Sequence, residues 1–171
     1  MVEARVRAVG IDAGTQTPVV LLQETGGDRR VLAIAVGESE AVAAASALEG
    51  VKAQRPDTHS LIGIVLSAFD RRLSRVRVCA VRDHVFHAEL ELDDGTRIDS
   101  RTSDAVVLAL QTPCGIDVAE TVLAAAAVAE NTVSVQGSDT GSDTDAGSGE
   151  VEEFRRFLDT ATPEDFDPDE R

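Results

Sequence analysis

The fold is decided by the stretch VFHAELELDDGTRIDSRTSDAVVLAL, which covers residues 85–110. Apolar and polar side chains alternate along residues 85–92, a pattern typical of a strand with one face buried. Asp94 and Gly95 predict a tight turn, because glycine adopts a positive φ at little cost. The chain should then return as a strand over residues 96–101, so the sequence predicts a β-hairpin.

A short helix is predicted directly after this hairpin. Ser103 is a favourable N-cap, and the residues up to Leu110 are almost all apolar, so this helix should be buried on most sides. Working outward, strands are predicted at residues 2–9, 17–24, 29–36 and 74–82, and helices at 38–49, from Asp57 or Thr58 onward, and at 118–129. In the helix from Asp57 or Thr58, one face at helical spacing carries Leu61, Ile62, Val65, Leu66, Phe69 and Leu73.

This order of elements predicts an α+β domain, with a mixed or antiparallel sheet and packed helices. Three strands and two helices are followed by three strands and two helices again. Residues 39–42 (Ser-Glu-Ala-Val) are echoed by residues 103–106 (Ser-Asp-Ala-Val). A degenerate duplication of a three-strand, two-helix unit explains the echo. Serine followed by an acid is also simply a favoured helix start, so both explanations stay open.

The domain is predicted to cover residues 1–135. Residues 136–150 are almost all Gly, Ser, Thr and Asp and bury no apolar surface, so we expect a disordered acidic linker. Residues 151–171 predict a short amphipathic helix and a tail, with an apolar stripe formed by Val151, Phe154, Phe157, Leu158 and Ala161. Such a stripe should dock on its own domain, on a neighbouring subunit or on another protein, so we expect a homo-oligomer or intramolecular tail docking.

The charge composition is unusual. The formal net charge is −15, and Lys52 is the sole lysine among the 16 basic residues. An acidic, lysine-poor surface is typical of a halophilic protein kept soluble in concentrated salt, although biased codon usage gives the same composition. Nucleic-acid binding normally needs a basic footprint, so any such contact must rest on a local arginine cluster.

The two cysteines, Cys79 and Cys114, are far apart and lack the spacing of a metal site or a disulfide framework. Both should be reduced, buried and inert. The longest apolar run, residues 122–129, is too short to span a membrane, for which about 18 residues are needed. We therefore expect a cytoplasmic protein.

Several separated motifs carry a family resemblance. They are AIAVGESEA at 33–41, Gly50, RPDTHSL at 55–61, VFHA at 85–88 and DSRTSDAV at 99–106. Together they resemble the bifunctional nuclease domain family, whose pattern runs approximately IGxxEA, RPxTHDL, an F-x-A strand and DxRPSDAIALA. The resemblance covers residue 1 to about residue 130.

Two positions depart from the family pattern. Ser60 stands where the family usually has Asp, which removes a carboxylate that can act as ligand or base. Thr102 stands where the family usually has Pro, which changes only how the loop enters its helix.

The resemblance implies nuclease activity on DNA and RNA. Phosphodiester cleavage needs an activated water and compensation for charge on the phosphoryl oxygens. The predicted metal ligands, for a divalent cation such as Mg²⁺ or Mn²⁺, are Glu40, Asp99 and Asp104. His59 is the predicted general base or leaving-group acid, and Arg55 and Arg101 are predicted to clamp phosphate.

Each of these residues also has a structural explanation. Glu40 and Asp104 lie at helix starts, where an acid complements the helix dipole, and His59 can hydrogen-bond a nearby carbonyl. Arg101 can pair with Asp104 or Asp99 instead of phosphate. The alternative function is therefore a non-catalytic anion-binding or protein-interaction regulatory domain.

Overall fold

The structure is a computed structural model that describes residues 1–51 and 53–129, together with the backbone of a two-residue strand at 135–136. The predicted C-terminal helix and all but the first residue of the predicted linker lie outside the described residues. The elements are β1 (Val2–Asp12), β2 (Pro18–Glu24), β3 (Val31–Ala35), α1 (Glu38–Leu48), α2 (Thr58–Ala68), β4 (Leu73–Arg82), β5 (Val85–Leu92), β6 (Arg97–Arg101), α3 (Thr102–Gln111), β7 (Gly115–Val118), α4 (Glu120–Ala126) and β8 (Val135–Gln136).

All of these strands join one mixed sheet. Its order is β3-β2-β1-β7-β4-β5-β6, and β8 pairs with β1 at the side. The strands β1 to β3 form one antiparallel meander and β4 to β6 another, and β7 joins them by pairing antiparallel with β1 and parallel with β4. The prediction of an α+β domain with a mixed sheet is therefore confirmed. Whether the two meanders arose by duplication stays a prediction.

The core lies between the sheet and helix α3. Six of the ten residues of α3 are buried, and α3 contacts α1 and α2 as well as the strands β4, β5 and β6. The largest fully buried apolar side chains of the core are Val20, Leu22, Val31, Leu32, Val76, Val78, Val106, Val107, Leu108, Val118 and Val122. Because α3 touches both α1 and α2, the starts of these three helices are fixed relative to one another.

Three details differ from the sequence-based expectation. Strand β7 was not predicted, because its four residues are too few to distinguish a strand from the start of the helix that follows. Ser103 does not cap α3, because the N-cap position is held by Arg101. Among the described residues, no side chain accepts a capping hydrogen bond at the start of α3. Helix α2 ends at Ala68, before Phe69 and Leu73, because Asp70 turns the chain with a positive φ of 55°.

Cys79 and Cys114 are free and half-buried. Burial raises the pKa of both thiols above the ordinary value, so both stay protonated and weakly reactive near neutral pH. Within the part of the chain that the structure describes, the helices are too short or too polar for any to cross a membrane.

Candidate functional site

Four charged or titratable side chains meet where the three long helices begin. Glu40 lies in the first turn of α1, and His59 lies in the first turn of α2. Arg101 is the last residue of β6, and Asp104 lies in the first turn of α3, the helix that follows directly. We call these four residues the Arg101 cluster. Glu40 and His59 are far from Arg101 and Asp104 in the sequence, so the packing of α1 and α2 on α3 is what brings the four together.

Arg101 and Asp104 are the centre of the cluster. Arg101 Nε donates to Asp104 Oδ2 at 2.6 Å, and Arg101 Nη2 donates to Asp104 Oδ1 at 2.9 Å and to Glu40 Oε1 at 2.7 Å. His59 Nε2 lies 3.2 Å from Asp104 Oδ1. One guanidinium therefore bridges two carboxylates, and one of those carboxylates also holds the imidazole.

The three partners of Arg101 are much less exposed than Arg101 itself. The side chain of Arg101 is 69% exposed, whereas those of Glu40, Asp104 and His59 are 16%, 25% and 13% exposed. The hydrogen bonds from Arg101 lower the pKa of Asp104 below its ordinary value. Burial of Asp104 acts in the opposite direction but is outweighed, and the hydrogen bond with His59 lowers the pKa of Asp104 further. The carboxylates of Asp104 and Glu40 in turn raise the pKa of Arg101. Asp104 is therefore ionised at neutral pH.

The ionised state of Asp104 fixes the tautomer of His59. A carboxylate only accepts hydrogen bonds, so the His59 nitrogen that faces it, Nε2, must carry a proton. The other ring nitrogen, Nδ1, makes no hydrogen bond within the described residues and is the atom that can accept a proton when it carries none. This is the arrangement in which an acid orients a histidine for proton transfer.

The start of α2, which carries His59, is tied to the end of α3. Asp57 is the N-cap and accepts from Ser60 N at 2.7 Å, and Gln111 Nε2 donates to Asp57 Oδ2 at 3.1 Å. Ser60 Oγ donates to Gln111 Oε1 at 3.1 Å. Ser60, one of the two departures from the family pattern, thus helps to hold the start of α2 on Gln111. Gln111 was not singled out from the sequence, because no motif marks it.

A glycine lets Glu40 reach its place in the cluster. Gly37 is the N-cap of α1, and a Cβ added at Gly37 would collide with Oε2 of Glu40. Glu40 was predicted as a metal ligand, and here its carboxylate instead folds back over the helix start toward Arg101.

A cleft of about 770 Å³ opens beside the cluster. The cleft is lined by the ends of β3 and α4, the start of β5 and the start of α3. At the start of α3, the residues that line it are Arg101, Thr102 and Ser103, so Arg101 belongs to both the cleft and the cluster. Its walls include Ile34, Phe86 and Ala125, so part of the cleft is apolar. Such a combination of apolar walls and a few polar groups is typical of a ligand site.

Thr102 is the most unusual polar residue of this cleft. It is only 4% exposed, and its Oγ1 finds no hydrogen-bond partner among the described residues. A buried hydroxyl without a partner costs about 1–3 kcal/mol. The protein would therefore become more stable to unfolding if a ligand paired with this hydroxyl or if a substitution removed it.

Two predicted site residues stay outside the cluster. Arg55 is exposed in the connection that leads to α2 and makes no hydrogen bond or ion pair within the described residues. Asp99 is exposed on β6, opposite Glu89, and lines the cleft without contacting the cluster.

The donor set of the cluster does not suit a divalent cation. Of the three predicted ligands, Glu40 and Asp104 are hydrogen-bonded to the same guanidinium, whose positive charge lies where a cation would have to sit. Among the residues described, no three His, Cys, Asp or Glu side chains are grouped closely enough to hold a metal ion. The guanidinium thus takes the place of a cation in this arrangement, and the metal stays a prediction.

Comparison with known proteins identifies the family. The model of the bifunctional nuclease domain matches residues 20–131, which is more than half of the chain. Two uncharacterized proteins of Mycobacterium tuberculosis, MT1877 of strain CDC 1551 / Oshkosh and Rv1829 of strain ATCC 25618 / H37Rv, are each 37% identical over 166 residues, covering 97% of this chain and 98% of each relative. The chain therefore belongs to the bifunctional nuclease domain family.

Proposed function

We propose that this protein hydrolyses phosphodiester bonds in DNA or RNA, with the Arg101 cluster as its active site. The observation that carries the proposal is the contact of His59 with Asp104 beside the exposed guanidinium of Arg101. Membership of a nuclease-like family supports the same reaction class.

His59 is the general base in this proposal. A water near Nδ1 loses a proton to the imidazole while its oxygen bonds to phosphorus, and the P–O bond to the leaving oxygen breaks. The proton is then passed to the leaving oxygen. Asp104 stabilises the imidazolium that forms, because its charge lies 3.2 Å from Nε2.

Arg101 is the proposed phosphate contact. Two of its nitrogens, Nε and Nη2, are used by Asp104 and Glu40, while Nη1 forms no hydrogen bond within the described residues. A phosphate at the mouth of the cleft can accept from Nη1, and the first turn of α3 offers its backbone N–H groups beside it.

Cleavage of labelled single- and double-stranded DNA and RNA oligonucleotides in high salt tests the proposal, with Mg²⁺, Mn²⁺ or EDTA. His59→Ala and Arg101→Ala should each lose at least about 100-fold in rate, a typical contribution of a general base or of a transition-state charge contact. Arg97→Ala is the matched control, because Arg97 is exposed on the same strand and, among the described residues, pairs with Glu89 and Glu91 and not with the cluster. Equal cleavage by all preparations would mean contamination and would refute the proposal.

A second candidate is a non-catalytic anion-binding or protein-interaction regulatory domain. It is favoured by the charge of the cluster, because the one positive charge of Arg101 already faces the two carboxylates of Glu40 and Asp104. Repulsion from those carboxylates weakens the attraction for a phosphate. If no preparation cleaves any substrate while circular dichroism shows an intact fold, this second function replaces the first.

A further inference from the structure

Helix α2 exposes an unusual amount of apolar surface. All 11 of its residues are at least partly exposed, and Leu61, Ile62, Ile64 and Val65 are among the exposed large apolar side chains of the chain. Phe69, which follows the helix as its C-cap, is 75% exposed. We call these five residues the α2 face. A short helix rich in β-branched residues gains most of its stability from packing, so such a face needs a cover.

The face is also held in a fixed position. The hydrogen bonds from Ser60 and Gln111 described above tie the start of α2 to α3, and Leu66 packs against the core. The exposed side chains are therefore presented on a rigid support, which lowers the entropy lost on binding.

Charge indicates which partner fits this face. The segment from Thr58 to Ala68 contains no Asp, Glu, Lys or Arg, whereas the whole chain is 27% charged with a net charge of −15. Two copies of such an acidic chain repel each other over most of their surface, and an uncharged helix is where that repulsion is weakest. A basic partner or a nucleic acid would instead gain nothing from an uncharged surface.

The area of the face covers a large part of a small symmetric interface. The exposed parts of the five side chains amount to roughly 450 Å² per copy, and a stable dimer buries about 600–1,000 Å² on each partner. The face thus supplies the apolar centre, and its flanks supply the rim. In a two-fold dimer the same surface serves both partners, so one apolar face is enough.

We propose that this protein forms a two-fold dimer in which the α2 face of one copy packs on the α2 face of the other. This inference is independent of the proposed nuclease activity, because it uses no residue of the Arg101 cluster.

Sedimentation velocity and light scattering of the full chain test the dimer over a range of concentrations. The measured mass should be twice the 18.0 kDa of one chain. Ile64→Glu and Phe69→Glu should each weaken the dimer at least about 30-fold, because a buried charge at an interface centre has no partner. Val85→Glu is the control, since Val85 is exposed at the start of β5, outside the α2 face, and should leave the mass unchanged.

Salt provides a second readout. An apolar interface between two acidic chains should strengthen as salt screens their repulsion, whereas an interface built on ion pairs should weaken. Phe69→Ser is the milder variant if a glutamate impairs folding, which circular dichroism will show. A monomeric mass at all concentrations and salts, as would result if the α2 face were covered by the chain's own C-terminal segment, overturns the proposal. A dimer that Ile64→Glu and Phe69→Glu leave intact overturns it as well.

Discussion

Replacing Asp104 with alanine should destabilise the protein and stop cleavage together, because Asp104 accepts three hydrogen bonds in the Arg101 cluster. Two of them come from Arg101 at 2.6 and 2.9 Å, and one comes from His59 at 3.2 Å. Arg101 is exposed and regains water when Asp104 is removed, so its share of the loss is small. His59 is only 13% exposed and is left with an unpaired N–H.

The expected loss in free energy of unfolding is about 1–2 kcal/mol at neutral pH, since hydrogen bonds to a charged group are strong but a partly exposed pair is screened. Asp104→Asn should lose less, because the amide oxygen still accepts. Asp99→Ala is the matched control: Asp99 is an exposed aspartate of the adjoining strand outside the cluster, and its loss should change stability by about 0.5 kcal/mol or less.

The loss should depend on pH in a defined direction. The folded-state pKa of Asp104 lies below its ordinary value of 3.8, so the stabilisation is present above that value and disappears as the pH falls through the folded pKa. Urea denaturation of wild type and Asp104→Ala at neutral pH and at about pH 3 measures this, and the difference in stability should be smaller at the lower pH. An equal difference at both values, or none at neutral pH, would refute the reasoning.

Three further results are expected. Thr102→Val should leave stability unchanged or raise it by about 1 kcal/mol in thermal melting, because it removes a buried hydroxyl without a partner, and a loss of more than that would contradict this account of Thr102. Gln111→Ala should cost more free energy in the cleavage rate than in unfolding, because Gln111 holds the start of α2, which carries His59. An unchanged rate would show that this contact does not matter for cleavage. Cleavage should become faster between about 0.1 M and 1 M salt, since salt screens the repulsion between a chain of charge −15 and a polyanion, and a steady decline would indicate ordinary binding through a basic surface.

Much of the fold was predictable because its patterns are local. The alternation along residues 85–92, the turn at Asp94 and Gly95 and the apolar run after Ser103 each depend on a few neighbouring residues, and β5, β6 and α3 follow them closely. Strand β7 was not predictable, because a segment of four residues, three of them buried, is too short to be told from the start of a helix. The exposure of the α2 face also escaped sequence reasoning, since helical spacing shows which residues share a face and not whether another element covers it.

The candidate site was predictable in part. The family resemblance named Glu40, His59, Arg101 and Asp104, and the structure shows these four in contact. It did not reveal that one guanidinium bridges the two carboxylates, because Glu40 and Arg101 lie 61 positions apart and meet only through the packing of α1 on α3. The same three-dimensional arrangement leaves Arg55 outside the cluster.

Chemical rescue of His59→Ala is the most direct test of the central claim that His59 activates the attacking water. The purified variant is assayed on a labelled oligonucleotide with and without added imidazole, which can enter the space that the side chain leaves. We expect cleavage to be lost in the variant and partly restored by imidazole, with no effect of imidazole on wild type. Cleavage by His59→Ala at the wild-type rate without imidazole would contradict the account.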